Sequence, residues 1–236
     1  MAEKEEEILS IQVERDELHE QLGGGFPRGS ICYMTGAHST GKSVIAQRLA
    51  YGLLENKYTV TYISTELSTK EFIDQMYSVD YRVANYLLQD KLTYIPVYPL
   101  LSSIKKREDF LAKLMRAESL FESRVIVIDT LSALIGASYL GGMTVSSFIQ
   151  FLKKLSALGK VVILTVDPDE VSRELSEPFK AAATAYWSLS LKSIGGTMAR
   201  VLQVLRFGSS KNPFEETIGF KVTPGIGIVI EITTVG

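Results

Sequence analysis

Apolar residues follow two periods along the chain. Uninterrupted β-branched runs such as Val125-Ile126-Val127-Ile128 and Val161-Val162-Ile163-Leu164 have the form of strands covered on both faces, and they are separated by stretches with helical spacing. The pattern predicts a short strand over Ile8–Val13 and a short helix over Glu14–Leu22 that ends at Gly23-Gly24-Gly25. Pro27 and Gly29 mark a turn into the first core strand, Ser30–Met34. A helix over Val44–Glu55 then leads to a strand at Thr59–Ser64, and a helix over Thr69–Gln89 to a strand at Leu92–Val97. Helices over Lys105–Phe121 and Val145–Leu158 precede the two β-branched runs. From about Ala185 the alternation stops. Strands alone follow, at Tyr186–Leu191, Ala199–Phe207, Thr217–Val222 and Ile226–Ile232, with hairpin turns at Gly195-Gly196 and Pro224-Gly225. The expected class is α/β: a mainly parallel twisted sheet flanked by helices, with C-terminal antiparallel strands. No repeat, low-complexity tract or linker interrupts it, so a single domain over residues 1–236 is expected.

Composition narrows the functional classes. A chain of 236 residues can bury roughly 70–75 % of its unfolded surface in one domain without a metal or disulfide. The formal net charge of −2 gives no general attraction to nucleic acid or anionic lipid. The single cysteine, Cys32, falls in an apolar strand, where it reads as a small buried side chain in a reducing compartment. The opening Met1-Ala2-Glu3-Lys4-Glu5-Glu6-Glu7 is not a charged-then-apolar leader, and the longest apolar stretch, Leu131 to Val145, is broken by serines and glycines short of the ~18 residues a membrane helix needs. A cytoplasmic protein is expected, with any membrane association made through a partner.

The chemistry concentrates in one segment. Gly36-Ala37-His38-Ser39-Thr40-Gly41-Lys42-Ser43 spells G-x-x-x-x-G-K-S directly after the strand Ser30–Met34 and directly before the helix that Val44 opens. That setting makes Gly36 through Val44 a phosphate-binding loop. Its glycines let successive N–H groups turn inward, Lys42 offers a mobile cation to the outer phosphates, and the Ser43 hydroxyl can reach Mg²⁺. The helix directs its positive end at the same anion. The inner phosphates it would hold are common to ATP and ADP. Asp129 ends the Val125 run and reads either as a carboxylate assisting Mg²⁺, directly or through water, or as a cap for the turn at Thr130. Glu66 ends Tyr62-Ile63-Ser64-Thr65 and reads either as a base for an attacking water or as a solvated approach to the next helix. Asp167, in Asp167-Pro168-Asp169, reads as a phosphate sensor or as turn chemistry.

Beyond these motifs, the stretch Asp16-Glu17-Leu18-His19-Glu20-Gln21-Leu22-Gly23-Gly24-Gly25-Phe26-Pro27-Arg28-Gly29-Ser30 followed by the loop resembles the opening segment of KaiC-like proteins of the RecA superfamily. The Asp129-Thr130 strand end and Val201 to Ser209 fit the same pattern, so the resemblance covers nearly the whole chain. The single-domain layout and Tyr62 to Ser68 are most similar to the ATP-binding members found in the archaellum, the archaeal flagellum motor. The resemblance implies a RecA-like P-loop NTPase core and ATP bound near a subunit border. It further implies ring-shaped homo-oligomers, hexamers among them, and work beside the motor ATPase FlaI and the membrane protein FlaJ. By position, Glu66 takes the catalytic-glutamate place and Arg206 that of an arginine finger reaching a neighbour's phosphate.

Two departures temper catalysis. KaiC-type ATPases usually carry two adjacent glutamates where this chain has Thr65-Glu66, and a Lys-x-Arg pair where Leu205-Arg206-Phe207 precedes Gly208. A finger arginine is worth about 10³ to 10⁵ in rate in related phosphoryl transfers. Tight ATP binding with weak or no hydrolysis is therefore expected, the nucleotide acting as an assembly signal. One alternative is a working ATPase or autokinase with acceptors around Ser188 to Thr197. The other is a RadB-like DNA binder, against which the low net charge speaks. Lys105-Lys106-Arg107 is the one basic run, and beside Glu108-Asp109 it reads as a solvated face.

Overall fold

The computed structural model describes residues 8–97, 110–137, 142–194, 197–208, 210 and 212–231. Its strands are β1 (Ile8–Ser10), β2 (Gly25–Pro27), β3 (Ile31–Gly36), β4 (Val60–Ser64), β5 (Leu92–Pro96), β6 (Val125–Asp129), β7 (Val161–Val166), β8 (Ala185–Ile194), β9 (Thr197–Phe207), β10 (Thr217–Thr223) and β11 (Gly227–Glu231). Its helices are α1 (Leu18–Gln21), α2 (Lys42–Glu55), α3 (Thr69–Ser78), α4 (Ala84–Leu88), α5 (Phe110–Arg116), α6 (Leu131–Ala137), α7 (Gly142–Ala157) and α8 (Arg173–Ala182), with a 3₁₀ turn at Glu118–Phe121. Among the described residues no helix is long and apolar enough to cross a membrane.

One nine-stranded sheet has the order β11-β10-β9-β8-β3-β7-β6-β4-β5. From β8 to β5 the neighbours run parallel, and β9, β10 and β11 extend the sheet antiparallel. This is the α/β arrangement expected from the strand pattern, with β8 as a refinement: the first of the four late strands pairs parallel with β3. The period of two in the central strands feeds two cores. Cys32, Met34, Val125, Val127, Val161 and Ile163 pack on the α2 and α3 side, while Tyr33, Ile126, Ile128, Val162 and Leu164 pack on the side of α5 to α8.

Several element boundaries differ from the sequence expectation, each for a local reason. The helix expected over Thr69–Gln89 is two. Ser68 and Glu71 form a capping box that starts α3, but Asp80 has a positive φ of 59°, and the chain turns there to bury Tyr81 against Tyr51. The helix expected over Glu14–Leu22 shrinks to α1, because Asp16 spends its carboxylate on the Leu18 N–H and on Arg48. No helix was expected at α8. Ser172 caps its N-terminus and Pro178 sits within it, a residue that masks helical pattern in sequence. The short α6 and the strand β2 were likewise not expected. Residues 98–109, with Lys105-Lys106-Arg107, lie outside the described residues, as do Gly195-Gly196 and residues 138–141.

Candidate functional site

The loop between β3 and α2 is built around two glycines. A Cβ on Gly36 would sit 2.6 Å from Thr40 Oγ1 and 2.7 Å from the Leu189 carbonyl, and Gly41 holds φ of 99° at the N-cap of α2. Thr40 closes the loop on itself, its hydroxyl donating to the Ala37 carbonyl at 2.8 Å. Ala37, His38 and Ser39 are left exposed at the tip. Inside the loop the Lys42 ammonium donates to the Gly36 carbonyl at 2.6 Å, the Ala37 carbonyl at 2.9 Å and Asp167 Oδ2 at 3.1 Å. A buried ammonium curled into a ring of its own loop's carbonyls is held where an anion would meet it.

Neighbouring strand ends supply the acids, as expected where ligands collect at the carboxyl ends of a parallel sheet. Asp129 ends β6, and it accepts three hydroxyl donors: Ser43 at 3.2 Å and Thr165 at 2.6 Å on Oδ1, and Tyr62 at 2.7 Å on Oδ2. Burial, with Asp129 beside it, pushes the Tyr62 phenol well above its ordinary range, so it remains a donor. The Ser43 hydroxyl and the Asp129 carboxylate are hard oxygen ligands side by side, and they fit a Mg²⁺ that takes its remaining ligands from phosphate and water. Among the described residues no group of three His, Cys, Asp or Glu gathers as an all-protein metal cage.

Glu66 stands just beyond β4, exposed at the rim of the same cleft. Desolvation first, then the nearby charges of Asp129 and Glu170, raise its carboxyl above the ordinary 4.5, against the opposing pull of Lys42 and His38. Its neighbour Thr65 is buried and committed. The Thr65 Oγ1 accepts the Thr130 N–H at 2.9 Å and lies 3.2 Å from the Thr130 hydroxyl. The cleft itself has a volume of about 300 Å³, and His38, Lys42, Ser43, Glu66, Asp167, Glu170, Arg200 and Val222 are among the residues that line it.

Arg200 was not singled out from sequence, although the alternation of β9 could have flagged it: it shares the face of Leu202 and Val204. Its Cδ lies 3.1 Å from where a Cβ on Gly41 would be, and its buried Nε has no hydrogen-bond partner. Arg206 lies elsewhere. A bulge in β9, where Tyr186 pairs with Arg206 but Trp187 with Val204, turns Arg206 to the opposite face. There its guanidinium donates to the carbonyls of Lys180 at 3.0 Å and Ala183 at 2.8 Å, at the C-terminal end of α8. A wider groove of about 760 Å³, lined by Arg15, Tyr51, Glu55 and Asp80, holds none of the loop residues.

A sequence model described as "ATPase: KaiC" matches residues 13–234. The chain belongs to the KaiC ATPase family. Among its relatives is the archaeal flagellar ATP-binding protein FlaH of Methanocaldococcus jannaschii, 41 % identical over 97 % of this chain and 98 % of that protein. FlaH of Methanococcus voltae is 36 % identical over 95 % of this chain and 97 % of its own length. The crystal structure of the M. jannaschii flagellar accessory protein FlaH superposes with a TM-score of 0.90 at 40 % identity, covering 96 % of this chain and all of that one. A KaiC-like protein of Pyrococcus horikoshii shares the fold, with a TM-score of 0.72 at 20 % identity. This KaiC-family chain therefore carries the fold that its loop and strand pattern imply.

Proposed function

We propose that this chain is an ATP-binding regulatory subunit of the archaellum motor, whose nucleotide state gates its assembly and which hydrolyses ATP weakly or not at all. The observation that carries the reading is the loop of Gly36 to Ser43, with Lys42 bent into its carbonyls beside the Ser43–Asp129 pair. In this reading residues Gly36 to Val44 hold the phosphates, Ser43 and Asp129 hold Mg²⁺, and the metal neutralises phosphate charge. The whole chain acts as one domain. It works as a homo-oligomer, a hexameric ring in the fullest form, in the cytoplasm beside the motor ATPase FlaI and the membrane protein FlaJ. The names of the FlaH relatives support the archaellum role.

Slow turnover follows from two commitments in the chain. Thr65 spends its hydroxyl on Thr130, so Glu66 works without an adjacent carboxylate, and Arg206 is engaged by its own α8 carbonyls. Calorimetry with MgATP and MgADP, run beside a phosphate-release assay, tests the reading. Wild type should bind nucleotide stoichiometrically and release little phosphate, and Lys42→Ala should lose most of the binding. Equal binding by both proteins would refute it.

A working ATPase is the second reading, favoured by the raised carboxyl of Glu66 at the cleft. Steady phosphate release abolished by Glu66→Gln would establish it in place of the first.

A further inference from the structure

The Lys42 contact to Asp167 has no role in the binding scheme above, and its geometry is that of a competitor. The ammonium and the Oδ2 atom are 3.1 Å apart, and the two side chains are only 7 % and 10 % exposed. We propose that Asp167 is an internal counter-ion that occupies Lys42 in the empty site, competes with the outer phosphate of a nucleoside triphosphate, and transmits its displacement to the loop at 167–172. This inference rests on the nucleotide reading of the site.

Asp167 is tied into that loop by more than its charge. Its Oδ1 accepts the Asp169 N–H at 3.1 Å, its carbonyl accepts the Glu170 N–H at 3.2 Å, and its own N–H donates to Ser132 Oγ at 3.1 Å. Two residues further, Ser172 caps α8, whose far end is the one that Arg206 holds. A phosphate that draws Lys42 away leaves a buried carboxylate next to new negative charge. Such a carboxylate is costly unless it moves or finds another cation. Movement of Asp167 breaks the turn at Asp169 and carries the approach to α8 with it. The cost is larger for a triphosphate than for a diphosphate, because the outermost phosphate brings its charge nearest to the lysine's partner. Asp167 is thus a positioning residue that sets discrimination between the two nucleotides, acting through Lys42.

The test is Asp167→Asn, which preserves size and the acceptor for the Asp169 N–H while removing the charge. MgATP affinity should rise by about tenfold or more, as expected for relief of one charge repulsion in a largely buried site. MgADP affinity should rise less, so the ratio of the two changes. Hydrogen exchange across 167–172 should quicken when wild type binds MgATP, and the quickening should be smaller in the variant, whose uncharged amide is not repelled by the phosphate. Asp167→Ser provides a second variant with the same expected signs should the first fold poorly. If wild type binds MgATP normally and both variants show an unchanged ratio and unchanged exchange, the counter-ion role is overturned while the nucleotide reading stands. If no protein in the set binds nucleotide, the nucleotide reading itself falls and this inference with it.

Discussion

Tyr62 donates its phenol to Asp129 Oδ2 at 2.7 Å, which joins the middle of β4 to the carboxylate at the end of β6. The same ring packs against Phe72 and Tyr94, so the donor is fixed by the core of the α3 side and has little freedom to leave. Tyr62→Phe keeps that packing and removes only the hydroxyl. The expected result is a several-fold loss in the Mg²⁺-dependent part of nucleotide affinity, with affinity in excess chelator unchanged, measured by calorimetry in the two conditions. A loss of stability of about 1–3 kcal/mol should accompany it, read from urea unfolding, since Asp129 keeps two of its three donors.

Arg48 and Asp16 form a fully buried bidentate pair, with Nε and Nη2 each 2.6 Å from a carboxylate oxygen and Nη1 on the Ile11 carbonyl at 2.9 Å. The pair fastens the segment before α1 to α2, the helix that follows the glycine-rich loop. Arg48→Met leaves the buried carboxylate without its cation and with the Leu18 N–H as its remaining donor, and should cost about 3–5 kcal/mol in unfolding free energy. Pairing it with Asp16→Leu should recover a large part of that loss. Additive losses in the double variant would show that the two residues stabilise the fold independently.

Glu66 gives a pH dependence of defined sign. Its carboxyl is raised in the folded protein, so the folded state binds its proton more tightly than the unfolded state does. Stability is then lost as pH rises from the ordinary carboxylate value toward the raised one, and the penalty persists above it. Glu66→Gln should have a higher thermal midpoint than wild type at neutral pH. The gain should shrink as pH falls through the carboxylate range, and a gain that grew on acidification would contradict the assignment.

Ser68 and Glu71 cap α3 reciprocally, the serine hydroxyl taking the Glu71 N–H at 3.3 Å and the glutamate taking the Ser68 N–H at 2.8 Å. Ser68→Ala should cost about 1 kcal/mol, visible in denaturant midpoints, without changing nucleotide affinity.

The amino-acid order alone determined those features that depend on neighbours along the chain. The β-branched runs specified buried parallel strands, and the sequence from Ile31 to Glu55 specified a strand, a glycine-rich loop and a helix, with Lys42 at the helix start. Asp129 and Glu66 were legible because each follows a strand, and parallel strands end on the same edge. Tertiary structure decided what depends on register between distant strands. The side chain of Thr65 is claimed by Thr130, a residue 65 positions away. Arg200 reaches the cleft and Arg206 does not, because Arg206 pairs with Tyr186, level with Tyr33 in the middle of β3 and away from its loop end, and a bulge between the two arginines also turns it to the other face. In sequence Asp167 reads as a phosphate sensor or as turn chemistry. In the fold it makes the turn, with one oxygen on the Asp169 N–H, and its other oxygen meets Lys42, a contact sequence did not suggest, since only the sheet brings the ends of β3 and β7 together.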